Sequence, residues 1–260
     1  MEEQTQTLKN IAELHIKLGN YQLSYETLRF ALNIVRNKRT EVELRLLMGI
    51  LYLEIGMLPN AISFFEESVN LSKKIGDRVY NIRSNIYLSY AKFADNKKET
   101  INSLSDSLKE AEVIGSKPDV VLALYYISLV YIDLGMMKKA SKTVLKGLRT
   151  SEIINDRVNN IRFLILLAKL ENSKELGTKA ATKAKELNSP ILIKDALFLL
   201  GEMEEKNGEI EKTLEYYSQA QSILQGIVEY LSGELKSNFL DLEQNRRIID
   251  KVSKMSDRKF

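Results

Sequence analysis

The sequence predicts an all-α protein, a solenoid of antiparallel helix pairs closed by a C-terminal capping helix, and three observations predict it. Helix formers dominate the 260 residues, Gly (12) and Pro (3) are scarce, and no β-branched alternation or Asn-Gly hairpin signal recurs. Short breaks return along the whole chain at nearly constant spacing. Fixed distances from those breaks carry small residues at some positions and large apolar ones at others.

The breaks define the elements in order. They stand at Gly19-Asn20, Gly56-Met57, Asp95-Asn96, Gly135-Met136, Asn172-Ser173 and Gly208-Glu209, in steps of 37, 39, 40, 37 and 36 residues. Each is flanked on both sides by an apolar-periodic segment of helical length. A second set falls between the resulting pairs, at Asn37 to Thr40, Gly76-Asp77, Gly115 to Lys117, Asn155-Asp156 and Asn188-Ser189. Pro118 and Pro190 follow two of these, in a first helical turn where proline sacrifices no hydrogen bond. Six helix-turn-helix pairs result, at about 1–40, 41–77, 78–117, 118–156, 157–189 and 190–232.

The register inside the pairs is consistent. Twelve residues past each anchor stand Ala31, Ser68, Ser107, Gly147, Ala184 and Ala220, all small. Nine past stand Leu28, Phe65, Leu104, Val144, Ala181 and Tyr217, and eight before stand Ile11, Met48, Tyr87, Ile127, Leu164 and Leu200. Small residues let the two helices of a pair approach, and large neighbours fill the space beside them. One pair cannot cover its own apolar faces, so successive pairs must stack.

This register resembles the tetratricopeptide repeat, in which a small residue of the first helix, a turn Gly and a small–aromatic–small series in the second define the motif. Gly49, Tyr52, Gly56, Ala61, Phe65 and Ser68 match it best, and Ser128, Tyr131, Gly135 and Ala140 match well. The third and fifth pairs depart from it: they lack the turn Gly and carry Leu88 and Ile165 where a small residue is usual. The resemblance covers residues 1 to about 225 and implies a right-handed superhelix whose first helices line a concave, ligand-binding side.

Residues 233–260 are expected to form a cap of one or two amphipathic helices over Glu234 to Ser253, with Leu235, Phe239, Leu240, Leu242, Ile248, Ile249 and Val252 available for burial and residues 254–260 frayed. This tail resembles the C-terminal repeat regions of large bacterial signalling proteins.

Composition narrows the chemistry. Lys and Arg (38) nearly balance Asp and Glu (35), so clustered cations for a nucleic-acid backbone are not evident, and nucleic acid is disfavoured as a partner. There is no Cys, so neither disulfides nor thiolate metal sites are available. Met1-Glu2-Glu3-Gln4 is not the start of a secretory signal, and no run reaches the ~20 apolar residues of a membrane helix, so the reading is soluble and cytoplasmic. The single histidine, His15, falls where Tyr52 and Tyr131 stand in their own pairs and reads as packing. With no nucleophile elbow, Gly-rich phosphate loop or second metal ligand, no catalytic residue, metal or cofactor is expected.

The expected binding surface is a stripe at ten, six and three residues before each anchor, on one face of each first helix. It selects Leu46, Ile50 and Leu53, then Asn85 and Lys92, then Tyr125, Leu129 and Ile132, then Arg162 and Lys169, then Phe198. Apolar and basic patches alternate, which suits a protein or peptide with apolar anchors and acidic residues between them. The competing reading is that the apolar members are core. The expected function is therefore a non-catalytic protein- or peptide-binding scaffold, with the ligand- or peptide-sensing module of a transcription regulator as the alternative and an RNA-binding helical repeat behind it.

Overall fold

The computed structural model describes residues 2–94 and 96–256. Fourteen helices account for the regular structure among the described residues: α1 (Glu2–Lys17), α2 (Tyr21–Ile34), α3 (Lys38–Glu54), α4 (Leu58–Ile75), α5 (Arg78–Ala91), α6 (Lys97–Val113), α7 (Lys117–Asp133), α8 (Met137–Ile153), α9 (Arg157–Glu171), α10 (Lys174–Glu186), α11 (Pro190–Asn207), α12 (Ile210–Glu229), α13 (Gly233–Asp241) and α14 (Glu243–Ser256). The first twelve run as six successive pairs. None is long and apolar enough to cross a membrane among the described residues.

Most of the turns follow one recipe. At the α3–α4 turn Gly56 takes φ 84°, and the Met57 amide donates to the Tyr52 carbonyl at 2.8 Å while Gly56 donates to Leu53. This is the left-handed closure that satisfies a helix's last carbonyls. The fifth pair, which lacks the turn Gly, reaches the same geometry with Asn172 at φ 50°. Ser173 then donates its amide to Ala168 and caps α10 by accepting from the Leu176 amide at 3.3 Å. Asn155 and Asn188 also adopt positive φ, so asparagine substitutes for glycine at three turns. Asp95, the anchor of the third pair, lies outside the described residues.

The chain divides into two compact bodies. One comprises Met1–Ile16 and Leu23–Asn160, the other Lys17–Gln22 and Ile161–Phe260. In the first, Gly49 of α3 lies directly under the Phe65 ring of α4: a Cβ there would sit 2.5 Å from two ring carbons. Phe65 is fully buried and stacks on Tyr87 of α5 with centroids 5.4 Å apart. Full burial of such a side chain stabilises by about 1.5–3 kcal/mol. Charges tie the first helices together on the same side of the core: Lys9 meets Glu43 at 2.8 Å, and Arg83 meets the fully buried Asp119 at 2.6 Å. The Ser116 hydroxyl donates to the other oxygen of Asp119.

The second body repeats the device. Gly201 of α11 lies under the fully buried Tyr217 ring of α12, again 2.5 Å from a built Cβ. The cap has two parts. In α13, Phe239 packs on Tyr21 with ring centroids 5.4 Å apart. α14 lies along α11 and α12, burying Ile248 and fixing the buried Lys194 ammonium to Asn245 Oδ1 at 2.9 Å. Asn245 donates in turn to the Phe239 carbonyl. α14 continues to Ser256, past the point where fraying was expected, and the remainder of that expected frayed stretch, 257–260, lies outside the described residues.

Candidate functional site

Five helices supply the side chains that the register singles out. In the first body Ile50, Leu53, Asn85, Lys92, Tyr125, Leu129 and Ile132 are all half-buried, each presenting part of its side chain to solvent. Leu46 is not among them: it is 3% exposed and belongs to the core. Lys9, Asn85, Tyr125 and Arg162 hold the corresponding place in other pairs and stay half-exposed. A leucine there has no polar end to carry outward and tucks in.

Tyr125 rests on an aromatic platform. Its ring stands edge-on to the buried Tyr126 at 5.3 Å, and Tyr126 contacts Tyr90 at 4.3 Å and Tyr87 at 5.4 Å. Burial pushes the Tyr90 phenol above its ordinary range, with Tyr125, Glu54 and Asp133 nearby adding to the effect. The platform fixes the orientation of Tyr125, so its exposed edge is a rigid apolar contact that needs little ordering on binding. The register flagged Tyr125 but not Tyr90 and Tyr126 beneath it. Their signal in the sequence was only adjacency, Tyr90 one turn past the core-facing Tyr87 and Tyr126 beside Tyr125.

The basic members of the stripe are less available than their sequence suggests. Lys92 reaches Glu66 of α4 at 2.6 Å, and Lys9 is held by Glu43. Tyr80 sits beside Glu43 and near two guanidiniums, with Arg83 at 5.4 Å and Arg39 at 5.8 Å from its ring. Burial, then the Glu43 carboxylate, pushes its phenol up to about 12. Asn85 and Lys92 also line a cleft of about 470 Å³ between α5 and α6.

In the second body Arg162 is half-buried and Lys169 exposed, whereas Phe198 is 3% exposed. The chain itself covers Phe198. The Arg247 guanidinium of α14 lies 5.3 Å over its ring, Arg247 also pairs with Glu202, and Lys251 pairs with Glu205 at 2.6 Å. The whole stripe of the sixth pair, Phe198, Glu202 and Glu205, is thus occupied by the C-terminal helix. The sequence showed an amphipathic tail but not which face it would cover.

His15 is half-buried on α1. No group of three or more His, Cys, Asp or Glu side chains among the described residues is placed to hold a metal.

No family model matches this chain, and no curated protein does. Solved structures do. A Rap conjugation gene regulator of the plasmid pLS20, in complex with the Phr* peptide, superposes with a TM-score of 0.69 at 14% identity, over 95% of this chain and 73% of that one. Aspartyl phosphate phosphatase F from Bacillus subtilis gives 0.67 at 15% identity, over 86% of this chain and 60% of that one. NprR in complex with its cognate peptide NprX gives 0.60 at 12%, over 98% and 79%. This chain therefore spans less than two thirds of the phosphatase. At these identities the likeness establishes the fold: a tetratricopeptide-like all-α array of helix pairs.

Proposed function

We propose that the protein is a non-catalytic peptide-binding module. What carries the reading is the half-exposed row Tyr125, Leu129 and Ile132 on α7, braced by the buried tyrosines, with Ile50 and Leu53 on α3 and the amide of Asn85 on α5. Apolar anchors entering between these side chains, and main-chain groups meeting Asn85, are what an extended peptide offers. Two of the similar structures, the pLS20 regulator and NprR, hold peptides on the same fold, which supports the reading. Acidic residues of the ligand are a minor part of recognition in this body, because Lys9 and Lys92 already have carboxylate partners.

The second reading is the peptide-sensing module of a regulator, favoured by the description of one similar structure as a conjugation gene regulator. The phosphatase activity of another is not carried over to these residues. Selection from a random peptide library tests the proposal. The wild-type protein is expected to enrich a family of related sequences rich in apolar residues. Tyr125→Ser with Leu129→Ser should lose that enrichment while helicity and melting stay close to wild type. A collapsed melt would make both residues core, and unchanged enrichment would place the site elsewhere.

A further inference from the structure

The cleft between α5 and α6 follows from a departure in the repeat. In the second and sixth pairs a glycine stands at the closest approach of the two helices, with Phe65 or Tyr217 pressed onto it. The third pair has Leu88 there, and a leucine cannot be overlapped in that way. The helices stay joined near their turn, where the Thr100 hydroxyl donates to the Ser89 carbonyl at 3.3 Å. The cleft runs between them from Lys92 and Glu99 to Asn81 and Glu110. In the second pair Ser68 donates across to the Val42 carbonyl at 3.3 Å. The corresponding carbonyl in the third pair, that of Asn81, accepts from the Asn85 amide instead. Ser107, the counterpart of Ser68, is 7% exposed, lines the opening, and has no hydrogen-bond partner among the described residues. Its hydroxyl borders the cleft, where a donor from a ligand can reach it.

The opening measures about 470 Å³, within the range of small-molecule sites. Its α6 wall carries Glu99, Asp106 and Glu110, and eleven residues of helix separate the first from the last, about 16 Å along the axis. Facing them on α5 are amides and hydroxyls with one cation, Lys92, already bound to Glu66. Lys109 offsets Asp106 in part, at 3.0 Å, and Asn96 donates to Glu99. The balance of the lining is anionic, with Leu88 and the Thr100 methyl as its apolar part.

We propose that this cleft binds an elongated organic cation, ammonium groups spaced along aliphatic stems, with its stem against Leu88, its charges towards Glu99, Asp106 and Glu110, and an N–H donated to the Ser107 hydroxyl. A free polyamine and the spaced lysines of a peptide share that chemistry. The cleft adjoins the peptide-binding row and shares Asn85 with it, but Tyr125 and Leu129 do not line it.

Calorimetric titration of the intact chain tests it, with spermine and with the blocked peptide acetyl-Lys-Ala-Ala-Lys-amide as probes, at about 20 mM salt where exposed charges are weakly screened. At least one probe should bind saturably, and which one identifies the source. Asp106→Asn with Glu110→Gln should weaken binding about tenfold or more. Glu211→Gln with Glu215→Gln, an equal charge change on α12, should alter it by less than about twofold. Ser107→Leu should fill the opening and abolish binding; if that variant melts early, Ser103→Leu replaces it. Tyr125→Ser with Leu129→Ser should leave spermine binding unchanged. Failure of both probes to bind, or equal weakening by the two charge pairs, would overturn the proposal.

Discussion

Replacing Gly49 by alanine isolates the steric term that sets the distance between paired helices. A Cβ at Gly49 would lie 2.5 Å from Cδ1 and Cε1 of Phe65, against the ~3.5–4.0 Å of an ordinary carbon contact. Phe65 is fully buried, so its ring cannot swing into solvent and the helices must part by roughly 1 Å. Such overpacking costs about 1–3 kcal/mol, while the change from Gly to Ala inside a helix returns about 0.5–1 kcal/mol. Gly226 supplies the reference: it is exposed within α12, and nothing lies within 4 Å of its built Cβ. Gly226→Ala should therefore stabilise by the propensity gain alone. Because that gain is common to both variants, the gap between them measures the clash, about 2 kcal/mol. For a chain of this size that separates their melting temperatures by about 4–8 °C. Thermal melts followed by circular dichroism read it directly. Phe65→Leu in the Gly49→Ala background should recover part of the loss, and Gly201→Ala should behave as Gly49→Ala does. If Gly49→Ala melts at or above Gly226→Ala, the close approach is not what holds α3 against α4.

Arg83→Met strands the fully buried Asp119 with only the Ser116 hydroxyl, and should cost about 3–5 kcal/mol in urea unfolding. The pair Arg83→Met with Asp119→Leu should recover most of it. Asn172→Gly relieves a side chain held at positive φ and should stabilise by about 0.5 kcal/mol, whereas Asn172→Ala should cost about 1 kcal/mol, both read from the urea midpoint. Burial pushes the Glu41 carboxyl up, but hydrogen bonds and charge from Lys38 and Arg45 outweigh it and hold the group below its ordinary range. Its contribution is therefore fully present above the unfolded carboxyl's range and is lost as pH falls through the folded value. Glu41→Gln should unfold at lower urea than wild type at neutral pH, with the difference closing in acid.

Much of the fold was legible because helix pairing writes its geometry at fixed offsets. Gly49 and Gly201 sit where the register asked for small residues, and the rings pressed onto them stand at its apolar places. Asn172 shows what single-residue matching misses: the turn needs a left-handed backbone, which asparagine also supplies. The site was less legible because exposure depends on what lies opposite. Leu46 and Phe198 stand in the same phase as Tyr125, yet one tucks into a seam and the other lies under Arg247 of α14. Charge was the hardest to place. Lys92 read as part of a basic patch, and the structure brings Glu66 to it. Leu88 was legible as an irregularity, and only the structure showed that it leaves a cleft.

The turns have a mechanical consequence. Gly76 and Asp77 are all that separate α4 from α5, as Gly208 and Glu209 are all that separate α11 from α12. Links of that length transmit rotation like a keyed shaft. One residue added within α3, ahead of Gly49, would rotate the upstream part of that helix by about 100° relative to its downstream part. With no slack in the links, the error would pass to the neighbouring helices instead of dissipating in a loop. Length can therefore be added to this protein in whole helix pairs, but a single residue inside a helix puts the array out of thread.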